Sequence, residues 1–320
     1  MSFSRRAFNA ALLAAFPLAA RAQAWPAKPI HVIVPFPPGG TTDYVTRLVT
    51  TPIGASLGQT VIVDNKPGAG TVIGVDAAAK SPADGYTLVT VANSFAVNQT
   101  LVKNLPYDSA KDLRPVALMG LSEHVLAAHP SLGIRNVTEL VAYSKKNPGK
   151  LSYASFGNGT SAHLAGEMLR LQLGLDIVHV PYKGQGPALS DLLGGQVSMM
   201  FGNWPEFREH VESGKLVAIG MATSKRSVFA PKIPTLTEQG APVESNSWNG
   251  LLAPSKVPDA VVARLNAEVN KSLASASVVE AFRKGGIVSL AGSPEQFAGF
   301  LGAEAARYAK VIRDANIRAD

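Results

Sequence analysis

The chain has 320 residues, 46% of them hydrophobic, no cysteine, and a formal charge of +7 to which Arg5, Arg6 and Arg21 contribute three. Without cysteine there is no disulfide, no thiolate metal site and no lipid-modified cysteine. The remaining positive charge is mild and forms no dense Lys/Arg block with interleaved aromatics, which argues against nucleic acid and favours small anions; the apolar fraction and length suit about two domains.

The first 24 residues, MSFSRRAFNAALLAAFPLAARAQA, have the three parts of an export signal: Arg5 and Arg6, an apolar stretch from Ala10 to Ala20, and the small-residue ending Ala22-Gln23-Ala24. The apolar stretch is shorter than the ~20 residues that a membrane span needs. The expectation is therefore a cleaved leader and a mature chain free in the periplasm, with no direct membrane insertion. Ser4-Arg5-Arg6-Ala7-Phe8 resembles the twin-arginine signature, but two arginines also suit an ordinary signal, and both routes stay open.

From residue 30 onward, short β-rich runs alternate with helical patterns: IHVIV and then 43–57, VIVD and then 73–80, YTLVTVA and then 95–102. The alternation restarts with LSYAS before 160–173, DIVHV before 187–194, VSMMF before 205–213, and LVAIGMA. This is the pattern of an α/β layered fold. A helix over 137–147 is announced by Asn136 with Glu139 three residues on. The last helix is announced by Ser293, Pro294 and Gln296, a capping box with proline at the first helical position. The stretch 258–316 reads as mostly helical, and ESNSWNGLLAP before it as a strand that returns the chain to the first domain. A boundary crossed twice, near Val116–Ala128 and again near Asn246–Ala253, makes a hinge. The expected division is 1–24 as the leader, 25–122 with 249–320 as a discontinuous first domain, and 123–248 as the second.

Two turns carry the chemistry. Gly39, Gly40, Thr41 and Thr42 follow IHVIVPFPP in the first set, and Gly157, Asn158, Gly159, Thr160 and Ser161 follow LSYASF in the second. Each places free backbone N–H groups and hydroxyls at a helix N-terminus, where the helix dipole also favours an anion. Glycines at such places also make ordinary strand-to-helix turns, but two of them on different domains point to a cleft. Leu164, Met168 and Leu171 share one helix face and read as core.

Enzymatic motifs are weaker. Gly54-Ala55-Ser56-Leu57-Gly58 has the nucleophile-elbow spacing, yet it ends a helix and precedes a strand, the reverse of the order an elbow needs. Gly68-Ala69-Gly70 with Gly74 resembles a dinucleotide fingerprint, but the next strand, YTLVTVANS, ends without an acid for the ribose. The six histidines show no metal-binding spacing, and Ser161 with His163 lack an identifiable third partner for nucleophilic catalysis.

Several longer stretches carry a resemblance. VPFPPGGTTD, VDNKPGAG, the run Pro82-Ala83-Asp84-Gly85-Tyr86-Thr87-Leu88, LPYD at 105–108, YASFGNGTSAHLAGE, VHVPYKGQGPALSDLLGGQV, and GLLAP followed by VVARLNAEVNKSL resemble the Bug family, from about Pro26 to Asp320. Its members are periplasmic solute-binding receptors of tripartite tricarboxylate transporters. The resemblance implies a two-domain, type II periplasmic-binding-protein fold that closes over a small carboxylate held by backbone amides, hydroxyls and ordered water. By position its first ligand loop falls on Phe36 to Asp43, including Pro38, and its second on Ser155 to His163. Asp43 is expected to act both as helix cap and as ligand contact, with Asn203 and Trp204 at the far wall.

The chain departs from the family pattern at Thr71, where a second glycine is usual after Gly70; at Gly202, where an aspartate is common; and at Asn249, where an aromatic often follows the tryptophan. If residue 71 needs positive φ, threonine there is strained. Loss of an acid at Gly202, beside Trp204, points to a dicarboxylate or an aromatic carboxylate in preference to an α-amino acid. The resulting expectation is a monomeric, non-catalytic receptor without cofactor or metal, partnered by a small organic carboxylate and by cytoplasmic-membrane transporter subunits. A carboxylate sensor for a membrane kinase, or a periplasmic oxidoreductase using the glycines at 68–74, are the alternatives.

Overall fold

The computed structural model describes residues 25–318, so the leader lies outside the described residues. In the first lobe, strands β1 (Ile30–Val34), β2 (Val61–Asn65) and β3 (Thr87–Val91) alternate with helices α1 (Thr41–Leu57), α2 (Val72–Ala79) and α3 (Asn93–Leu101). Strand β4 (Leu113–Ala128) leads into the second lobe, which contains α4 (Val137–Lys146), β5 (Leu151–Ser155), α5 (Ser161–Leu173), β6 (Ile177–Pro181), α6 (Gln185–Leu193), β7 (Met199–Asn203), α7 (Trp204–Glu212) and β8 (Val217–Met221). The chain returns through β9 (Asn246–Pro254) to α8 (Asp259–Leu273), α9 (Ala276–Lys284), β10 (Ile287–Ser289) and α10 (Pro294–Asp314).

The strand order is β2-β1-β3-β9-β4-β7-β5-β6, with β8 and β10 both pairing with β4. Within each lobe the βαβ units are parallel: β1 pairs with β2 and β3, and β5 with β6 and β7. Successive strand residues point to opposite faces, so a strand covered by helices on both sides is apolar along most of its length. In β1, Ile30 and Val32 join a core with Val45, Val49 and Ile53 of α1, whereas Ile33 joins one with Val75, Phe297 and Tyr308. The second lobe repeats the arrangement, with Tyr153 on one side of β5 and Ala154 on the other.

The two caps read from sequence are present: the Asn136 side chain accepts the Glu139 N–H, and Ser293 with Gln296 forms a reciprocal capping box. Three helices begin about two residues earlier than hydrophobic spacing suggests, at Thr41, Asn93 and Gln185. Their first turns are polar because they face the cleft rather than a core.

Strand β4 serves both lobes. Residues up to Glu123 pair with β9, and from His124 onward the strand pairs with β7, beginning with His124 opposite Asn203. The return lies alongside: the Ser245 N–H still bonds Ala222 in the second lobe, while Asn246 already pairs with Glu123. The expected division after Trp248 therefore falls inside β9, because this strand is hydrogen-bonded to the first lobe from its first residue. His124, fully buried at the crossing, joins both strands, with Nδ1 at 2.9 Å from Ser245 Oγ and Nε2 at 3.0 Å from Ser247 Oγ.

Candidate functional site

The prolines after β1 lead into a turn whose conformation explains its composition. Gly39 has φ of +85°, a region that L side chains avoid, and Gly40 stands extended as the N-cap of α1 without a side-chain cap. The α1 N-terminus, from Gly40 to Thr42, is directed at the space between the lobes. Asp43 braces the turn from behind. One oxygen accepts the Gly39 N–H at 3.0 Å, and the other accepts Arg47 Nε and Asn65 Nδ2, each at 3.0 Å. Asn65 Nδ2 also reaches the Phe36 carbonyl at 3.1 Å. Burial alone would raise the Asp43 carboxyl, but the bonds from Arg47, Gly39 and Asn65 together hold it below the usual carboxylate range.

The second turn is built on the same plan. Gly157 and Gly159 have φ of +137° and +71°, and Thr160 is an extended N-cap for α5 that makes no side-chain cap bond. Its hydroxyl instead donates to the Gly157 carbonyl at 2.7 Å. The Gly159 N–H donates to His163 Nδ1 at 3.0 Å. Ser155 Oγ sits 2.7 Å from His179 Nε2 and accepts the Gly157 N–H at 3.2 Å, and the His163 and His179 rings stack at 3.9 Å. Uncapped helix starts carry the unsatisfied N–H groups and partial positive charge that anions seek.

Both turns open on one cavity of about 720 Å³ between the lobes. Phe36, Pro38, Gly39, Gly40, Thr41 and Thr42 line it from the first lobe, and Asn158, Gly159, Thr160, Ser161 and Asn203 from the second. The other expected contacts do not reach it. Asp43 and His163 have their acceptor atoms engaged by the turns, and Ser155 and Gly157 form the support beneath the second turn. Trp204 opens α7 but is buried among Met200 and Phe207, so it provides no aromatic face to the cavity. Gly202 is no far wall either: a Cβ there would lie 2.1 Å from the Phe207 ring, so glycine is required by packing.

The cavity contains groups that no sequence motif singled out as contacts. Gly70 and Thr71 enter from the turn before α2, Ser94 and Asn98 from α3, Gln185 from α6, Glu206 from α7, and Ser247, Trp248 and Asn249 from β9, while Phe156, within the expected second loop, joins them. Thr71 does adopt positive φ, +83°, and its hydroxyl lies 3.1 Å from Ser94 Oγ and 3.4 Å from Asn98 Nδ2. The Trp248 indole donates to Glu304 at 3.0 Å. Among the lining residues Glu206 alone is charged. It is open to solvent through the cleft, yet the surrounding walls push its carboxyl above the usual range despite hydrogen bonds from its own backbone, Gln185 and Asn203. A signal for Gln185 was present in the glycine-flanked turn VHVPYKGQGP; Glu206 sits in the first turn of α7, where acids are common without a ligand.

The enzymatic spacings find no matching geometry. Ser56 lies near the C-terminal end of α1, where its hydroxyl accepts from Lys271 Nζ at 2.9 Å. A Cβ on Gly74 would meet the Lys66 carbonyl and Pro35 at 2.7 Å, so this glycine serves close packing. Among the described residues no group of His, Asp or Glu has metal-binding geometry, and no helix is long and apolar enough to cross a membrane.

Residues 45–317 match the family model described as "Tripartite tricarboxylate transporter family receptor". The protein BugT of Bordetella pertussis is 41% identical over 92% of this chain and 91% of its own. Among solved structures, an R. palustris protein with adipate has a TM-score of 0.82 at 33% identity, covering 92% of this chain and 99% of that one. The periplasmic binding protein BugD has a TM-score of 0.79 at 32% identity, covering 92% and 100%. The two-lobed fold with a twice-crossed boundary, the paired turns and these similarities agree, and the chain belongs to the tripartite tricarboxylate transporter receptor family, as a receptor of the Bug type.

Proposed function

We propose that this receptor binds a small organic carboxylate in the periplasm and delivers it to the membrane subunits of a tripartite transporter, without catalysing a reaction on it. The observation that carries the reading is the convergence of two uncapped helix N-termini, those of α1 and α5, on one cavity from opposite lobes with no lysine or arginine in its lining. Such a site neutralises a carboxylate with N–H groups and hydroxyls, and it holds that charge only when both lobes contribute. The adipate held by the R. palustris relative supports the same ligand class, a small organic carboxylate.

The division into lobes supports delivery. Rotation would occur where β4 passes from Glu123 to His124 and where the chain returns at Ser245–Asn246, two adjacent points that need little repacking. We place the lobe boundaries there, with 25–123 and 246–318 in the first and 124–245 in the second. The leader at 1–24 supplies export, and the mature protein acts as a monomer. A thermal-shift screen of mono-, di- and aromatic carboxylates tests the reading: a ligand at about 100-fold its Kd should add ~2.7 kcal/mol of stability. Absence of any stabilisation across the panel would contradict it.

A further inference from the structure

We propose that Glu206 determines which carboxylates the cavity accepts: the part of the ligand that meets it must present a hydrogen-bond donor, whether hydroxyl, ammonium or protonated carboxyl, and a fully ionised second carboxylate is rejected. This rests on the carboxylate reading above and adds the other half of the ligand's chemistry.

The helix starts at Thr41 and Ser161 offer donors to one carboxylate. Around Glu206 acceptors outnumber donors: among the described residues there, Gln185 Nε2 is the one buried donor left without a partner, and it sits beside the Glu206 carboxylate that would take it. The Oδ1 atoms of Asn203 and Asn249 are both buried without a partner, and both residues line the cavity. The Asn203 amide nitrogen is committed to Gln185 Oε1 at 3.3 Å and to Glu206 Oε1 at 3.4 Å, which leaves its oxygen as the free atom. These side chains are 6% and 2% exposed, so a ligand that left their oxygens without donors would leave that cost in place.

No cation lines the cavity to offset a second ligand charge. Arg208 and Glu209 on the same helix and Lys183 before α6 are exposed and line no part of it. His124 of β4, opposite Asn203 in the strand register and bonded by both ring nitrogens to Ser245 and Ser247, is kept neutral by burial. The elevated carboxyl of Glu206 fits a group already disfavoured as an anion, and a neighbouring carboxylate would disfavour it further. A dicarboxylate therefore enters with one proton, shared between its second carboxyl and Glu206. An acid in the first turn of α7 also suits the helix dipole, but that role affects stability and leaves ligand preference unchanged.

The test is calorimetric titration at pH 8 of wild type and Glu206→Gln with two matched sets: adipate, 6-hydroxyhexanoate and 6-aminohexanoate, and succinate, 4-hydroxybutyrate and 4-aminobutyrate. Wild type should prefer the hydroxy or amino acid of the better-bound set over its diacid by at least about tenfold, and Glu206→Gln should erase or reverse that order. Diacid binding to wild type should take up a proton, seen as an enthalpy that varies with the buffer's ionisation enthalpy. The same order in both proteins would overturn the role of Glu206 and leave the carboxylate reading intact. Failure of all six acids to bind either protein would overturn both.

Discussion

His163 does for Gly159 what Asp43 does for Gly39. In each turn the side chain four residues on, in the first turn of the helix, accepts the glycine N–H, at 3.0 Å in both cases. One brace is a carboxylate and the other an imidazole, so the correspondence is geometric and not a matter of charge. Each holds a positive-φ glycine while remaining outside the cavity. Replacing either by alanine should weaken ligand binding by about tenfold, the scale of one lost hydrogen bond to a charged or buried partner. Titration of Asp43→Ala and His163→Ala with a carboxylate found in the thermal-shift screen checks this, and unchanged affinity in both would show that the turns hold their shape unaided.

The two glycines should respond differently to substitution. At Gly39 a Cβ meets nothing within 4 Å, so alanine adds only the strain of positive φ, ~1 kcal/mol. At Gly159 the Cβ would also lie 2.6 Å from Leu101 Cδ2, which belongs to the other lobe. Gly159→Ala should therefore impair closure and reduce affinity more than Gly39→Ala, with Gly159→Val more severe still. Small-angle scattering should show less compaction on ligand addition in the Gly159 variants than in wild type.

Thr71 combines a strained backbone with a useful hydroxyl. A β-branched residue at φ of +83° costs of order 1–3 kcal/mol, which glycine would relieve. Thr71→Gly should raise the denaturation midpoint while lowering ligand affinity, because the hydroxyl between Ser94 and Asn98 is lost from the cavity floor. A variant improved in both respects would show that the threonine has no part in binding.

His124 makes the hinge sensitive to acid. Burial drives its pKa from 6.5 to about 3, against a smaller upward pull from nearby Asn203, with Arg307 adding to the fall. The unfolded chain therefore takes up this proton first. The stability tied to neutral His124 is complete above pH 6.5 and is lost as pH falls towards about 3, at up to ~1.4 kcal/mol per pH unit for one proton. Urea melts at several pH values should show a shallower acid loss in His124→Gln than in wild type. Glu123 next to it is shifted upward by burial and acts in the opposite sense, but it is common to both proteins, so the difference isolates the histidine. Parallel curves would rule out His124 as the source.

Much of the fold was legible because alternating strands and helices leave a strong local pattern: apart from the exposed His31, the apolar residues of IHVIV and LSYAS are buried on both faces. The two turns were legible for a similar reason, since their glycines and hydroxyl residues have few other uses directly after a strand. The wall opposite was not. Gly202 invited a ligand argument, yet its missing side chain answers to Phe207, a contact that adjacency in sequence does not reveal. Trp204 looked like an aromatic platform, but its position at the start of α7 turns it into the core. Glu206, Gln185 and Asn249 come from three separate elements and meet only through the tertiary fold. The expected division after Trp248 cuts through β9, because strand composition does not record which neighbour a strand pairs with.

The most direct test of the account is the amide NMR spectrum of isotope-labelled protein titrated with a carboxylate selected by the thermal-shift screen. The account predicts large, saturable shifts in the N–H signals of Thr41 and Thr42 and, at the same ligand concentration, in those of Thr160 and Ser161, because one anion is held between both helix starts. Shifts confined to one lobe, or saturable binding with all four signals unmoved, would contradict it.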